Sequence, residues 1–128
     1  MSEAGTFTLR FDRTLPVMEI MGEVDIANAQ EFETALDRAV NSGPALVVSL
    51  EDTSYFDSKG IHVLLLFAGR LARSGQHLAL VAKNGSAPRR LLEIAGVPGV
   101  VPTYGSVDEA MTAIAGVANG QIPLPQSG

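Results

Sequence analysis

Residues 45–67 read ALVVSLEDTSYFDSKGIHVLLLF: an apolar run, a polar break and a second apolar run. Few arrangements accommodate that pattern. The first run, Ala45–Leu50, is continuous and β-branched at Val47 and Val48, which suits an interior strand covered on both faces. The second, from about Ser58 to Ser74, is long enough for a helix. Its first half is apolar nearly all round, so the helix should be well buried there. Arg70 and Arg73 suit its C-terminal end, and Gly75 closes it. The break ends in Asp57-Ser58-Lys59-Gly60, at the helix N-terminus. Backbone N–H groups point outward there and the helix dipole is positive, a favourable place to carry a phosphate or face a charged partner. The alternative is that Ser58 is a plain helix cap, since Ser and Asp are favoured in that role.

The flanking chain supplies a matching frame. Thr6–Asp12 alternates, with Phe7, Leu9 and Phe11 on one face, and predicts a half-buried strand. Arg13–Pro16 reads as a connection and Val17–Met21 as a second strand, so the chain opens with an antiparallel hairpin. Gly22 suggests a bend or bulge where that strand leaves the sheet. Asp25 or Asn28 can cap the next helix, and Asn28 with Glu31 has capping-box spacing. Ala29, Phe32, Leu36, Ala39 and Val40 repeat at helical spacing until Gly43-Pro44 stops them. His77–Ala82 predicts a strand. A short helix follows near Pro88, carrying Leu91, Leu92 and Ile94, and then a short strand at Val100–Val101. Ser106 and Glu109 have capping-box spacing before a last helix striped by Met111, Ile114 and Val117.

The predicted order is β-β-α-β-α-β-α-β-α, an α/β sandwich with a mixed β-sheet. Residues 1–117 are expected to form one domain, and residues 118–128, which lack periodicity, a flexible tail. In such a fold the loops leaving the C-terminal ends of strands usually hold the site. Two qualify: Glu23–Asn28 and Asp52–Gly60.

Charge and composition narrow the function. The 128-residue chain carries a net charge of −5, which argues against nucleic acid. Nine of its 14 acids fall between Glu19 and Asp57, against the single base Arg38. A surface gathering those acids would steer toward a basic partner, while solvated loops and helix faces explain part of the cluster. There is no cysteine, so disulfides, thiolate metal sites and a cysteine nucleophile are excluded. No signal peptide or membrane-length apolar run is recognisable, so a cytoplasmic protein without a membrane partner is expected.

Nucleotide-binding glycine motifs and the serine-hydrolase elbow are lacking. His62 lies four residues beyond Ser58, but its apolar surroundings predict a core or partly buried histidine rather than a general base. Two isolated histidines give no metal site. Neither an enzyme nor a cofactor is expected. A phosphorylation site, by contrast, needs an exposed hydroxyl, a helix terminus, small neighbours and a charged surface. Ser58, the helix start held by Asp57, Gly60 and the acidic stretch meet those needs. Phe56, beside the site, is either core or a contact anchor.

At these residues the chain resembles a STAS domain, specifically the small single-domain anti-sigma factor antagonists of bacteria. The matching pieces are Gly22-Glu23-Val24-Asp25-Ile26-Ala27-Asn28-Ala29, then Val47-Val48-Ser49-Leu50 with Asp57-Ser58-Lys59-Gly60, and the segment Tyr104–Ala110 that starts the last helix. The resemblance implies a STAS-like sandwich with helices packed mainly on one side. It implies partner switching: the unphosphorylated protein binds an anti-sigma factor that is also a GHKL-type serine kinase, and so frees a sigma factor and regulates transcription. Phosphorylation of Ser58 would release it, and a PP2C-type phosphatase would restore it. Carried over by position, Glu23, Asp25, Asn28, Asp57, Ser58, Lys59 and Gly60 form the partner-binding surface. Lys59 departs from the small residue usual at its position. Two other readings stay open: a STAS module that binds a protein partner without phosphorylation, such as a lipid-transport subunit, and a two-component receiver phosphorylated on Asp57.

Overall fold

A computed structural model describes residues 5–40 and 43–118, and the side chains of all of these except 115–118. The hairpin forms as β1, Thr6–Asp12, and β2, Leu15–Val24, paired antiparallel from Thr6↔Met21 to Asp12↔Leu15. Its turn is shorter than expected. Arg13 and Thr14 alone connect the strands, both at positive φ (51° and 69°), the two-residue geometry whose twist matches the flanking strands. Pro16 lies inside β2 because it sits one residue before the pairing of β2 with its next neighbour begins, at Val17.

Helix α1, Ala29–Val40, follows, and then β3, Ala45–Ser49, which pairs parallel with Val17–Glu19 of β2. The next element is a correction to the sequence reading. Thr53–Phe56, expected to be loop, is a strand, β4, pairing parallel with Gly22–Val24 of β2. So β2 has two successive neighbours on one side, β3 along its first half and β4 along its second. The register shifts between Gly22 and Glu23, where Gly22 takes a φ of 88°, a bulge conformation that favours glycine. The Gly22 N–H donates to the Asp52 carbonyl at 3.1 Å, and the buried Thr53 hydroxyl to the Ile20 carbonyl at 2.8 Å. These bonds satisfy polar groups that the change of partner would otherwise leave unpaired.

Helix α2 spans Ser58–Arg73 and β5 spans His77–Val81, parallel to β3. Helix α3, Ala87–Ile94, starts on the Ser86 hydroxyl, which accepts from the Arg89 N–H at 3.2 Å. The strand expected at Val100–Val101 is instead the end of a 3-10 turn, Val97–Gly99, because both N–H groups donate back to the Val97 carbonyl. The last strand, β6, is Thr103–Tyr104, paired with Leu80 and Val81 of β5. Helix α4, Val107–Ala118, has the expected start: the Ser106 hydroxyl accepts from the Glu109 N–H at 3.2 Å. The reciprocal bond goes to the Gly105 N–H at 3.3 Å. The expected flexible tail lies, beyond Ala118, outside the described residues, as does the side chain of Val117.

The sheet order is β1-β2-β3-β5-β6, with β4 attached to β2. One core, containing Met18, Ile20, Phe32, Leu36, Leu64 and Leu92, packs α1, α2 and α3 on one face. A smaller core around Val17, Val47, Ala79, Met111 and Ile114 packs α4 on the other. The mixed α/β sandwich with helices mainly on one side is the fold of the chain. Its consequence for function is local: the C-terminal ends of β2 and β4 lie side by side, and the Asp57 N–H donates to the Val24 carbonyl at 3.2 Å.

Candidate functional site

Helix α2 begins at that junction. Asp57 is extended (φ −102°, ψ −177°), and its carboxylate accepts from the Lys59 N–H at 2.9 Å and the Gly60 N–H at 3.3 Å. Asp57 is therefore the cap, and Ser58 the first helical residue. Ser58 is exposed, and its hydroxyl has no hydrogen-bond partner among the described residues. Capping is Asp57's work, so it no longer explains Ser58. Lys59 is also exposed and has no ion pair among the described residues.

Gly60 is buried for a different reason. A Cβ at this position would lie 2.7 Å from Cζ of Phe56. The Phe56 ring is buried and meets Phe32 edge-on at 5.9 Å between centroids, a favoured aromatic arrangement. Phe56 is thus core, and Gly60 lets the first turn of α2 rest on its ring.

The facing loop, 23–28, is tied internally. The Asp25 carboxylate accepts from the Ala27 N–H at 2.9 Å. Asn28 is buried; its Oδ1 accepts from the Asp25 N–H at 2.9 Å and its Nδ2 donates to the Glu23 carbonyl at 2.8 Å. The capping box expected of Asn28 and Glu31 is absent, because the Asn28 side chain turns back into the loop and closes it. Glu23 is half-buried opposite Tyr55 of β4. The closed loop holds Ile26 with 78% of its surface exposed, and Tyr55 is 51% exposed. Sequence reasoning passed over both. The available signal was a lone β-branched apolar residue in a polar loop, and a tyrosine in a segment not read as a strand.

His62 corrects another expectation: it is exposed, not core. At four-residue steps Ser58, His62 and Leu66 share one side of α2, and Leu66 is exposed too. The first half of α2 is therefore buried on one side only. Among the described residues no group of His, Cys, Asp or Glu could hold a metal ion. Of the nine acids clustered in sequence, Glu19 pairs with Arg10 at 3.2 Å and Asp37 with Arg70 at 2.7 Å. Asp25, Asp57 and Glu23 stay at the junction without an ion pair among the described residues.

The profile of the STAS domain matches residues 7–110. The chain belongs to the STAS domain family, a fold of binding modules rather than of enzymes. It is similar to an anti-sigma factor antagonist from Mycobacterium paratuberculosis, with a TM-score of 0.80 and 25% identity over 90% of this chain and 99% of that one. The phosphorylated form of the Bacillus cell fate determinant SpoIIAA aligns with a TM-score of 0.62 and 20% identity, over 84% and 97% of the two chains. A sulfate transporter family protein from Wolinella succinogenes aligns with a TM-score of 0.67 and 16% identity, over 83% and 88%. The last two likenesses are of fold alone. No curated protein sequence matches the chain. Among the described residues no helix is long and apolar enough to cross a membrane.

Proposed function

We propose that the protein is an anti-sigma factor antagonist that switches partners through phosphorylation of Ser58. Unphosphorylated, it binds an anti-sigma factor carrying a GHKL-type serine kinase domain and frees the sigma factor. The kinase phosphorylates Ser58 and is released, and a PP2C-type phosphatase resets the switch. One observation carries this reading: Asp57 holds the start of α2, which leaves Ser58 exposed on an outward-facing stripe, its hydroxyl without a hydrogen-bond partner among the described residues. The similarity to the mycobacterial antagonist supports it.

A phosphate on Ser58 adds about −1.5 to −2 charges next to Asp57 and Asp25. Repulsion and lost fit then weaken binding by roughly 1–3 kcal/mol, the usual scale of regulatory coupling. Lys59 offsets part of that charge. Within the surface, Ser58, Lys59 and Ile26 touch the partner, Glu23 and Asp25 supply negative charge, and Asn28, Asp57 and Gly60 hold its shape. The proposed surface lies within one domain, residues 1–117.

Lys59, a long cation where a small residue is usual, favours a second reading, a module that binds its partner regardless of phosphorylation. Affinity capture from a lysate of the source cell separates the two. Wild type, Ser58→Ala and Ser58→Asp are used as baits, and retained proteins are identified by mass spectrometry. The switch requires an ATP-binding serine kinase on the first two and its loss from Ser58→Asp. If all three retain the same proteins, or none retains a kinase, the switch is refuted.

A further inference from the structure

Strand β1 is an edge of the sheet: among the described residues it pairs with β2 alone. Free edges invite pairing with another chain and are usually blunted. This one is not. Leu9 is 38% and Phe11 57% exposed, on the same side as Phe7, whose ring stacks on Phe32 of α1 at 5.6 Å. The charges of β1 lie on its other side and are neutralised at home: Arg10 pairs with Asp12 at 3.4 Å and Glu19 at 3.2 Å. We infer that the free edge of β1, with the side of α1 next to it, is the interface for a second copy of this chain, related by a two-fold axis through Leu9.

Three features select a second copy. The first is backbone direction. In a two-residue hairpin the residues flanking the turn, Asp12 and Leu15, form the closing hydrogen-bonded pair. Alternation then turns the N–H and C=O groups of Phe7, Leu9 and Phe11 outward. Antiparallel pairing centred on Leu9 sets Leu9 against Leu9, and Phe7 against Phe11, so all three residues bond across the axis. The second is the side-chain pattern. Thr6–Asp12 reads the same in either direction as polar-apolar-polar-apolar-polar-apolar-polar, so apolar meets apolar over the whole strand. A two-fold interface needs that self-complementarity.

The third is charge. A groove beside β1 is lined by Phe7, Gln30, Glu31, Thr34, Ala35 and Arg38. Helix α1 runs in the direction of β1, so two-fold pairing of β1 makes the α1 helices antiparallel across the joined sheet. With α1 over β1 and β2, the two helices lie about 10–14 Å apart, given strand spacing near 4.8 Å. That is about the span of two facing rows of side chains. Glu31 and Arg38 share one side of α1, two turns apart, and neither has an ion pair among the described residues. The antiparallel arrangement brings Glu31 of each copy toward Arg38 of the other, with the small Thr34 and Ala35 midway.

Sedimentation velocity of the full chain over a range of concentrations tests this, with circular dichroism to verify folding. Wild type should dimerise reversibly. Leu9→Lys, which opposes like charges at the axis, should weaken the dimer about tenfold or more. Glu31→Arg should weaken it as well, and adding Arg38→Glu should restore it. The double variant decides the matter if Leu9→Lys does not fold. A wild type that stays monomeric at several hundred micromolar, or a dimer indifferent to Leu9→Lys and to the charge exchange, overturns the inference.

Discussion

Replacing Gly60 with alanine should destabilise the protein, although alanine is the better helix former. Intrinsic propensity favours Ala over Gly by about 0.8–1 kcal/mol. Against that, the new Cβ would lie 2.7, 2.9 and 3.0 Å from Cζ, Cε1 and Cε2 of Phe56. The ring has little room to retreat, because it is buried and set against Phe32. Overpacking a filled core costs about 1–3 kcal/mol. The net loss is about 1–2 kcal/mol at the upper part of that range, or roughly 4–8 °C in Tm for a domain of this size. Thermal unfolding followed by circular dichroism measures it, and a double-mutant cycle assigns the cause. In a Phe56→Leu background the clash is relieved, so Gly60→Ala should become neutral or stabilising there. A wild-type-background Gly60→Ala as stable as the parent, or a penalty unchanged by Phe56→Leu, would refute the packing explanation.

Four further outcomes are expected. Asp57→Ala should cost about 1 kcal/mol of stability and speed hydrogen exchange at the Lys59 and Gly60 amides, while Asp57→Asn should retain most of the cap. Asn28→Ala removes two bonds from a buried side chain and should cost about 1–3 kcal/mol in denaturant unfolding, with amide shifts confined to the 23–28 loop. Ile26→Ser should leave stability within about 0.5 kcal/mol, since the side chain is mostly exposed, yet reduce retention of the captured kinase. Burial raises the Tyr104 hydroxyl above its ordinary pKa of 10.0, so the folded state holds that proton more tightly than the unfolded chain does. Stability should fall as pH rises from the ordinary value through the raised one, and Tyr104→Phe should lessen that fall.

The local signals in this chain were strong where neighbours in sequence are also neighbours in space. The alternation of Phe7, Leu9 and Phe11, the continuous Val47–Val48 run and the helical spacing of Phe32, Leu36 and Ala39 each report a face that must be buried. Asp57-Ser58 marked a helix start because a cap and the N–H groups it satisfies lie within three residues. These signals were enough for the α/β alternation apart from β4 and the place of the last strand, for the opening hairpin, and for the position of Ser58 at the head of α2.

Only tertiary structure made Thr53–Phe56 a strand. Its partner, Gly22–Val24, lies some thirty residues earlier, and four residues flanked by acids carry no visible period. The same long-range pairing brings Asp25 beside Asp57. Asn28 has the composition of a cap, but becomes the staple of the 23–28 loop once Glu23 and Asp25 fold back around it. His62 and Leu66 look like core, and are exposed because α2 has the sheet on one side only. Gly60 could be read as permissive; the ring of Phe56 makes it obligatory. Burial, capping partner and strand pairing depend on atoms supplied by distant segments, so a sequence determines them only through the complete fold.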